Sequence, residues 1–339
     1  MGQPFQWGVF FLCKLGSFKK NGAAVPNEEG LLASHREAAP FTSSSLLMSL
    51  DTPSSPAPVG LIGLGLMGGA LAARLREGGF EVCGHDPDPR CAAAFEAMDG
   101  TLALDAGAVL AACDIVLLSL PNHGQVKEVL AAHGGRWRPG QIILDTSTGE
   151  PQAAVEQARA LLSHGVIYLD ATISGSSAQV RTGEVLWMVG GDRAAFMRCA
   201  DLFRCVGQGA VHTGEAGSGA KMKLVTNLVL GLNRAALAEG LAFARQLDLD
   251  PAEALDVMRR SMAYSRIMDT KGEKMVAHDF TPQAKLSQHL KDVRLMLSSA
   301  ARPLPMTEAH ARLLEEAVAR GYGDLDNSAL IKVIEDCQT

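Results

Sequence analysis

Short apolar runs alternate with mixed segments from residue 59 to about residue 190. Buried β-strands are predicted because these runs are brief and mostly apolar; they lie at 59–62, 81–85, 114–121, 142–145, 166–169 and 185–190. Segments between them have the spacing of amphipathic helices, at 67–78, 125–132 and 151–163. Strands separated by helices of this length indicate right-handed crossovers. We therefore predict an α/β fold of the Rossmann type, a doubly wound and largely parallel sheet.

The pattern changes near residue 214. From 219 to 247 the chain has no proline and almost continuous helical periodicity, which predicts one long apolar helix. Helices are also expected at 251–262, 265–276, 285–300, 306–320 and 328–336. We predict a boundary at 212–217, an NAD(P)-binding domain at 58–213, and an all-α domain for substrate binding and dimerisation at 214–339, built on the long helix.

Residues 1–57 follow neither pattern. Ser and Pro are frequent from 42 to 58, and Glu28, Glu29 and Glu37 argue against an organelle transit peptide. We expect a disordered extension, which initiation at Met48 would largely remove. A targeting role is the alternative.

Composition narrows the class of protein further. Lys and Arg number 31 against 37 Asp and Glu, and no long basic stripe appears, so no nucleic-acid partner is expected. The seven cysteines contain no C-x-x-C pair and the nine histidines show no metal-ligand spacing, so no metal site is predicted. Reduced thiols and the lack of a membrane-length apolar run indicate a cytoplasmic protein without a membrane partner.

Three glycines after the first predicted strand have the spacing G-x-G-x-x-G. Gly63 permits a tight turn, Gly65 allows a pyrophosphate close to the backbone, and Gly68 allows the helix to pack on the strand. Asp86 follows about 20 residues later, where an acid accepts hydrogen bonds from the adenosine ribose. The motif predicts a dinucleotide site formed by Gly63, Leu64, Gly65, Leu66, Met67, Gly68 and Asp86. NAD is the expected cofactor; Arg90 weakens the repulsion of a 2′-phosphate, so NADP is the alternative.

Lys223 and Asn227 are four residues apart near the start of the long helix, so their side chains lie about 40° apart on one face. A lysine in so apolar a helix has its pKa lowered by desolvation, which suits proton transfer near neutral pH. Lys221 is about 120° from Asn227, so Lys223 is the better candidate. The alternative is a lysine that snorkels to solvent beside a structural asparagine.

Small polar residues follow the strand predicted at 166–169. Backbone N–H groups and hydroxyls at Ser174, Gly175 and Ser176 are suited to hold a substrate carboxylate, although an ordinary Ser/Gly turn has the same composition. Lys291 and Asp292 are, on their own, a solvated charge pair.

Seven motifs in order resemble those of the β-hydroxyacid dehydrogenase family, which includes 3-hydroxyisobutyrate dehydrogenases and tartronate semialdehyde reductases. They lie at 60–68, 145–151, 170–175, 183–191, 217–227, 290–292 and 321–328. The resemblance implies an NAD(P)-dependent oxidoreductase that transfers a hydride between the cofactor and a small β-hydroxy acid or its semialdehyde. It implies a homodimer or tetramer. It also implies a catalytic Lys223, substrate contacts from Ser174, Gly175 and Asn227, and cofactor contacts from Leu120, Pro121, Thr148 and Lys291.

Two positions depart from the family pattern. Ser176 stands where the family usually has a second glycine, and Thr226 stands where it often has a first asparagine before Asn227. Both changes leave substrate identity open. Two alternative functions have the same fold: a decarboxylating sugar-acid dehydrogenase and an imine reductase. A non-catalytic dinucleotide-binding module is the alternative of another class, and the presence of Lys223 with Asn227 disfavours it.

Overall fold

Eight strands form one sheet in the computed structural model, which describes residues 57–336. The strands are β1 (Val59–Ile62), β2 (Val82–His85), β3 (Thr101–Leu102), β4 (Ile115–Leu118), β5 (Ile142–Asp145), β6 (Ile167–Ser174), β7 (Leu186–Gly190) and β8 (Gly209–Gly214). Their order is β3-β2-β1-β4-β5-β6-β7-β8, and every neighbouring pair is parallel except β6 with β7. The predicted Rossmann-type sheet is confirmed. Residues 1–56 of the predicted extension, with Met48, lie outside the described residues.

Neighbouring residues of a strand point to opposite faces of the sheet. Apolar side chains therefore lie on both faces, and helices cover both. On β4, Leu117 belongs to one buried cluster, while Val116 and Leu118 belong to another. The helices that follow the first seven strands are α1 (Leu66–Glu77), α2 (Pro89–Glu96), α3 (Ala106–Ala112), α4 (His123–Ala132), α5 (Pro151–Leu162), α6 (Ser177–Arg181), α7 (Arg193–Arg198) and α8 (Ala200–Val206).

After β8 the described chain contains helices and short turns. The long predicted helix is confirmed as a 29-residue helix, and it packs with the others around a third cluster that includes Leu241, Leu290 and Leu314. The predicted helix 265–276 is instead a π-helical segment, Met268–Gly272, followed by a single turn. The helices are α9 (Ser218–Gln246), α10 (Pro251–Arg260), α11 (Glu273–Val276), α12 (Leu286–Ser299), α13 (Pro305–Ala319) and α14 (Leu330–Asp336). The division into two domains stays a prediction.

Strand β6 is longer than the sequence indicated. The predicted strand ended at Leu169, with Asp170 to Gly175 placed at its carboxyl end. Antiparallel pairing with β7 continues the strand to Ser174, which pairs with Leu186. Asp170 therefore lies inside the sheet, 2 % exposed, and the carboxyl end of β6 is at Ser174.

Candidate active site

The turn between β1 and α1 has the shape that its three glycines predict. Gly63 has φ +93°, and a Cβ added there would lie 2.3 Å from the carbonyl oxygen of Ser119. A Cβ on Gly68 would lie 1.9 Å from the carbonyl oxygen of Gly63, whereas nothing lies within 4 Å of one on Gly65. The first and third glycines are therefore required by packing. The second leaves open space beside the backbone, where a pyrophosphate fits.

The first turn of α1 borders that space, and no side chain caps its N–H groups. Gly65 is the N-cap and provides no side chain to bond them, and Leu66 is 81 % exposed. The positive end of the helix dipole favours an anionic group at this position. Leu64 is buried and Met67 is half-buried against the core, so both hold the turn in place. These residues fit a dinucleotide.

Asp86 connects this turn to the end of β2. Its Oδ2 accepts a hydrogen bond from Leu64 N at 2.7 Å, and its Oδ1 accepts one from Asp88 N at 2.8 Å. Each carboxylate oxygen has a second acceptor site, so the group remains able to accept a ribose hydroxyl.

The loops after β4 and β5 are bonded to each other beside the glycine turn. Leu120 N donates to Ser147 Oγ at 3.2 Å, and a Cβ on Gly63 would lie 3.1 Å from Leu120 Cδ2. Lys291 on α12 donates from Nζ to the carbonyl oxygen of Pro121 at 3.3 Å. Thr148, half-buried, lies one residue beyond Ser147. The structure thus brings Leu120, Pro121 and Lys291 together, with Thr148 in the adjoining loop.

A buried carboxylate supports these two loops. Asp145 is 1 % exposed; its Oδ1 accepts from Ser147 N at 2.8 Å, and its Oδ2 accepts from the Tyr168 hydroxyl at 2.6 Å. Burial raises the pKa of Asp145, and the nearby His123, with Nδ1 3.8 Å from Oδ2, opposes that rise. The sequence places Asp145 in the motif at 145–151 but assigns it no role.

Asp170 fixes the start of α9 against the sheet. Its Oδ1 accepts from Gly217 N and its Oδ2 from Ala220 N, both at 2.8 Å. A Cβ on Gly219 would lie 2.2 Å from the Asp170 carbonyl oxygen, so the helix touches β6 directly. The first turn of α9 is therefore held against β6, and Lys223, one turn later, lies beside the end of that strand.

Lys223 is bonded to the end of β6. Its Nζ donates to the carbonyl oxygen of Ile173 at 2.6 Å, and the side chain is half-buried. Desolvation lowers the pKa of Lys223, and the negative charge of Asp292 partly opposes this. Lys221 is exposed, as its position on the helix predicts.

One helical turn after Lys223, Asn227 on α9 contacts Asp292 on α12. Asn227 Nδ2 donates to Asp292 Oδ2 at 3.3 Å, so the Asn227 amide oxygen remains available as an acceptor. Asp292 is not the solvated group that the residues alone indicated: it is 8 % exposed because α12 packs on α9. Its Oδ1 is buried without a hydrogen-bond partner among residues 57–336. Burial raises the pKa of Asp292, while Lys223, Lys291 and the Asn227 hydrogen bond oppose the rise.

The segment predicted to hold a carboxylate follows Ile173 directly. Ser174 ends β6, and Gly175 has φ +149°, with an added Cβ 2.5 Å from Val185 Cγ1. Ser176 caps α6: its N–H donates to Gln179 Oε1 at 2.9 Å, and its Oγ accepts from Gln179 N at 3.3 Å. The polar groups of Ser176 are therefore already bonded, and those near Lys223 belong to Ser174 and Gly175.

Three further observations concern membrane spans, metal sites and cysteines. No helix among residues 57–336 is long and apolar enough to cross a membrane. Within the same residues, no group of three or more His, Cys, Asp or Glu side chains is arranged to hold a metal ion. Five cysteines in this part of the chain are free thiols: Cys83, Cys91, Cys113, Cys199 and Cys205.

Two protein-family models match this chain, and together they cover nearly all of the described residues. Residues 58–214 match the family model of the NAD binding domain of 6-phosphogluconate dehydrogenase. Residues 217–334 match the model described as NAD-binding of NADP-dependent 3-hydroxyisobutyrate dehydrogenase.

Individual relatives cover the same span. A 2-(hydroxymethyl)glutarate dehydrogenase of Eubacterium barkeri is 33 % identical over 82 % of this chain and 94 % of its own length. A 2-hydroxy-3-oxopropionate reductase of Escherichia coli K12 is 34 % identical over 82 % of this chain and 97 % of its own length. The solved 3-hydroxyisobutyrate dehydrogenase of Mycobacterium tuberculosis with L-serine has a TM-score of 0.75 and 26 % identity, over 82 % of this chain and 99 % of that one.

Proposed function

Because this chain belongs to the β-hydroxyacid dehydrogenase family, we propose that Lys223 transfers the proton in its NAD(P)-dependent reaction on a small β-hydroxy acid. The enzyme is an oxidoreductase acting on CH–OH groups, between a β-hydroxy acid and its semialdehyde. The observation that carries the proposal is the position of Lys223 Nζ, 2.6 Å from the Ile173 carbonyl oxygen and next to Ser174.

Oxidation breaks the C–H and O–H bonds of the substrate alcohol. A nicotinamide cofactor held by the glycine turn and the neighbouring loops would supply the acceptor for the hydride of the C–H bond. The hydroxyl proton passes to Lys223 Nζ, and in the reverse direction Lys223 returns a proton to the forming alkoxide. A lysine accepts a proton only when neutral, and desolvation favours the neutral form by lowering the pKa of Lys223.

The groups around Lys223 are proposed to hold the substrate. Because Asp292 occupies Asn227 Nδ2, the Asn227 amide oxygen is proposed to accept a hydrogen bond from Lys223 and so to orient its Nζ toward the substrate hydroxyl. The Ser174 hydroxyl and the Gly175 N–H are the proposed donors to the carboxylate. The N–H and the hydroxyl of Ser176 are bonded to Gln179, so Ser176 binds the substrate only if one of these hydrogen bonds breaks.

The cofactor is proposed to lie across the carboxyl ends of β1, β4 and β5. The glycine turn takes the pyrophosphate and Asp86 takes the adenosine ribose, which favours NAD over NADP. Further cofactor contacts are proposed from Gly63, Leu64, Gly65, Leu66, Met67, Gly68, Leu120, Pro121, Thr148 and Lys291.

A second copy of this chain is the proposed protein partner. Met222, Val225 and Val229 are 41 %, 58 % and 52 % exposed and form one apolar stripe along α9. Covering this stripe in a homodimer would remove it from water. The free thiols are suited to a reducing compartment, so the cytoplasm is the proposed location.

A panel of small hydroxy acids tests the proposed reaction. It contains 2-(hydroxymethyl)glutarate and 3-hydroxyisobutyrate, and 2-hydroxy-3-oxopropionate in the reducing direction, each assayed with both cofactors by nicotinamide absorbance. At least one compound is expected to turn over. Absence of turnover with every compound and either cofactor would contradict the proposal.

A further inference from the structure

The turn after β2 contains two acids and one arginine within five residues: Asp86, Asp88 and Arg90. In dinucleotide-binding folds an acid at the position of Asp86 faces the adenosine ribose, and a nearby arginine accommodates the 2′-phosphate of NADP. Asp88 N donates to Asp86 Oδ1 at 2.8 Å, so Asp88 lies directly beside the ribose-binding acid. Arg90 is the cation in this turn, and its availability decides how a 2′-phosphate is received.

Asp88 holds Arg90 through two parallel hydrogen bonds. The guanidinium donates from Nε to Asp88 Oδ1 at 3.1 Å and from Nη2 to Asp88 Oδ2 at 2.7 Å. Asp88 is also the N-cap of α2, where its Oδ1 accepts from Arg90 N at 2.9 Å. The hydrogen bonds from Arg90 lower the pKa of Asp88 to about 2, so the carboxylate is charged at neutral pH. The edge of the Arg90 guanidinium formed by Nε and Nη2 is thus occupied, and the group is held toward the Asp88 carboxylate.

We propose that Asp88 is a specificity-determining residue that favours NAD over NADP by two effects. It keeps the Arg90 guanidinium bonded away from a 2′-phosphate, and it places a second negative charge beside Asp86. The proposal rests on the proposed function, which places the adenosine ribose at Asp86. It assigns Arg90 as a phosphate-binding group that Asp88 keeps engaged.

Asp88→Asn tests the proposal with little disturbance of the fold. Asparagine caps a helix as well as aspartate does, so α2 keeps its first hydrogen bond. The change removes the charge and weakens the bond to Arg90. The affinity for NADPH relative to NADH is expected to rise about 10-fold, because repulsion falls and the guanidinium is released.

Arg90 variants separate the two effects. Arg90→Ala alone is expected to change the ratio by less than about 2-fold, because Asp88 already occupies the guanidinium. In the double variant Asp88→Asn/Arg90→Ala, most of the gain is expected to disappear, which makes the two changes non-additive. If the double variant keeps the full gain, Arg90 takes no part and the proposal is wrong.

Binding is measured on the full chain without substrate, by titration of NADH and NADPH fluorescence, with circular dichroism as the control for folding. The unaltered protein is expected to bind NADH more tightly than NADPH. Binding of neither nucleotide would overturn the proposed function together with the role of Asp88. NADH binding with an unchanged ratio in Asp88→Asn would overturn the role of Asp88 alone.

Discussion

Replacement of Lys223 by alanine removes the proposed proton acceptor. General acid–base catalysis by a positioned side chain contributes about 10² to 10⁴ to a rate, so kcat should fall by that factor. The cofactor residues lie in other segments, and the dissociation constant for NADH should change by less than about 2-fold. Folding should persist, because the lost hydrogen bond to Ile173 is offset by removal of a desolvated cation from α9.

Lys221→Ala is the matched control. Lys221 is exposed, two residues earlier on the same helix, and its removal deletes the same chemical group. Steady-state kinetics on both variants, with circular dichroism for folding, gives the comparison. Near-normal kcat for Lys223→Ala, or a dead Lys221→Ala, would refute the assignment of the proton-transfer group.

The pH dependence of the unaltered enzyme tests the same group in a second way. Lys223 must be neutral to accept a proton, so the rate of oxidation should rise as pH passes upward through its lowered pKa. Loss of this ascending limb in Lys223→Ala is the expected result. An unchanged profile would assign the limb to another group.

Three further substitutions have definite expected results. Asp292→Asn removes the charge that opposes the lowered pKa of Lys223, so the ascending limb should move to lower pH, with kcat reduced about 10-fold. Asp170→Asn leaves one N–H at the start of α9 without an acceptor and should cost about 1–3 kcal/mol in denaturant unfolding. Gly68→Ala should abolish NADH binding in a fluorescence titration, because its Cβ would meet the Gly63 carbonyl oxygen at 1.9 Å.

The strongest sequence signals came from segments whose burial is uniform. The central strands β1 and β4 are almost entirely buried, so they are apolar throughout, and β1 was predicted at its observed bounds. The long helix was predicted at 219–247 and observed at Ser218–Gln246, since no proline interrupts it. The glycine turn was predictable because a backbone without Cβ atoms is required there.

Elements at the edges of the sheet lacked such signals. β3 has two residues, Thr101 and Leu102, and both are exposed, so no hydrophobic pattern marks them. β8 is half-buried or exposed along its whole length. The antiparallel pairing of β6 with β7 was also unreadable, because the intervening segment contains α6 and no tight hairpin turn.

Sequence spacing identified only the part of the active site that lies on one helix. Lys223 and Asn227 share a face of α9, so their proximity follows from helical geometry. Asp292 reaches the same place from 65 residues further along the chain, through packing of α12 on α9. Asp170 was unpredictable for a related reason: its role is to bond the first turn of another element.

The free-energy cost of burying the Asp292 carboxylate indicates that this residue serves catalysis and not stability. A buried carboxylate oxygen without a partner costs about 1–3 kcal/mol, and the single amide hydrogen bond from Asn227 offsets only part of this. Asparagine at this position avoids burial of a charge, so Asp292→Asn should unfold at the same or higher denaturant concentration while its rate falls. A purely structural Asp292 would instead lose stability and rate together. Opposite signs for the two changes would show that α9 and α12 bury a charge next to Lys223 because the reaction uses it.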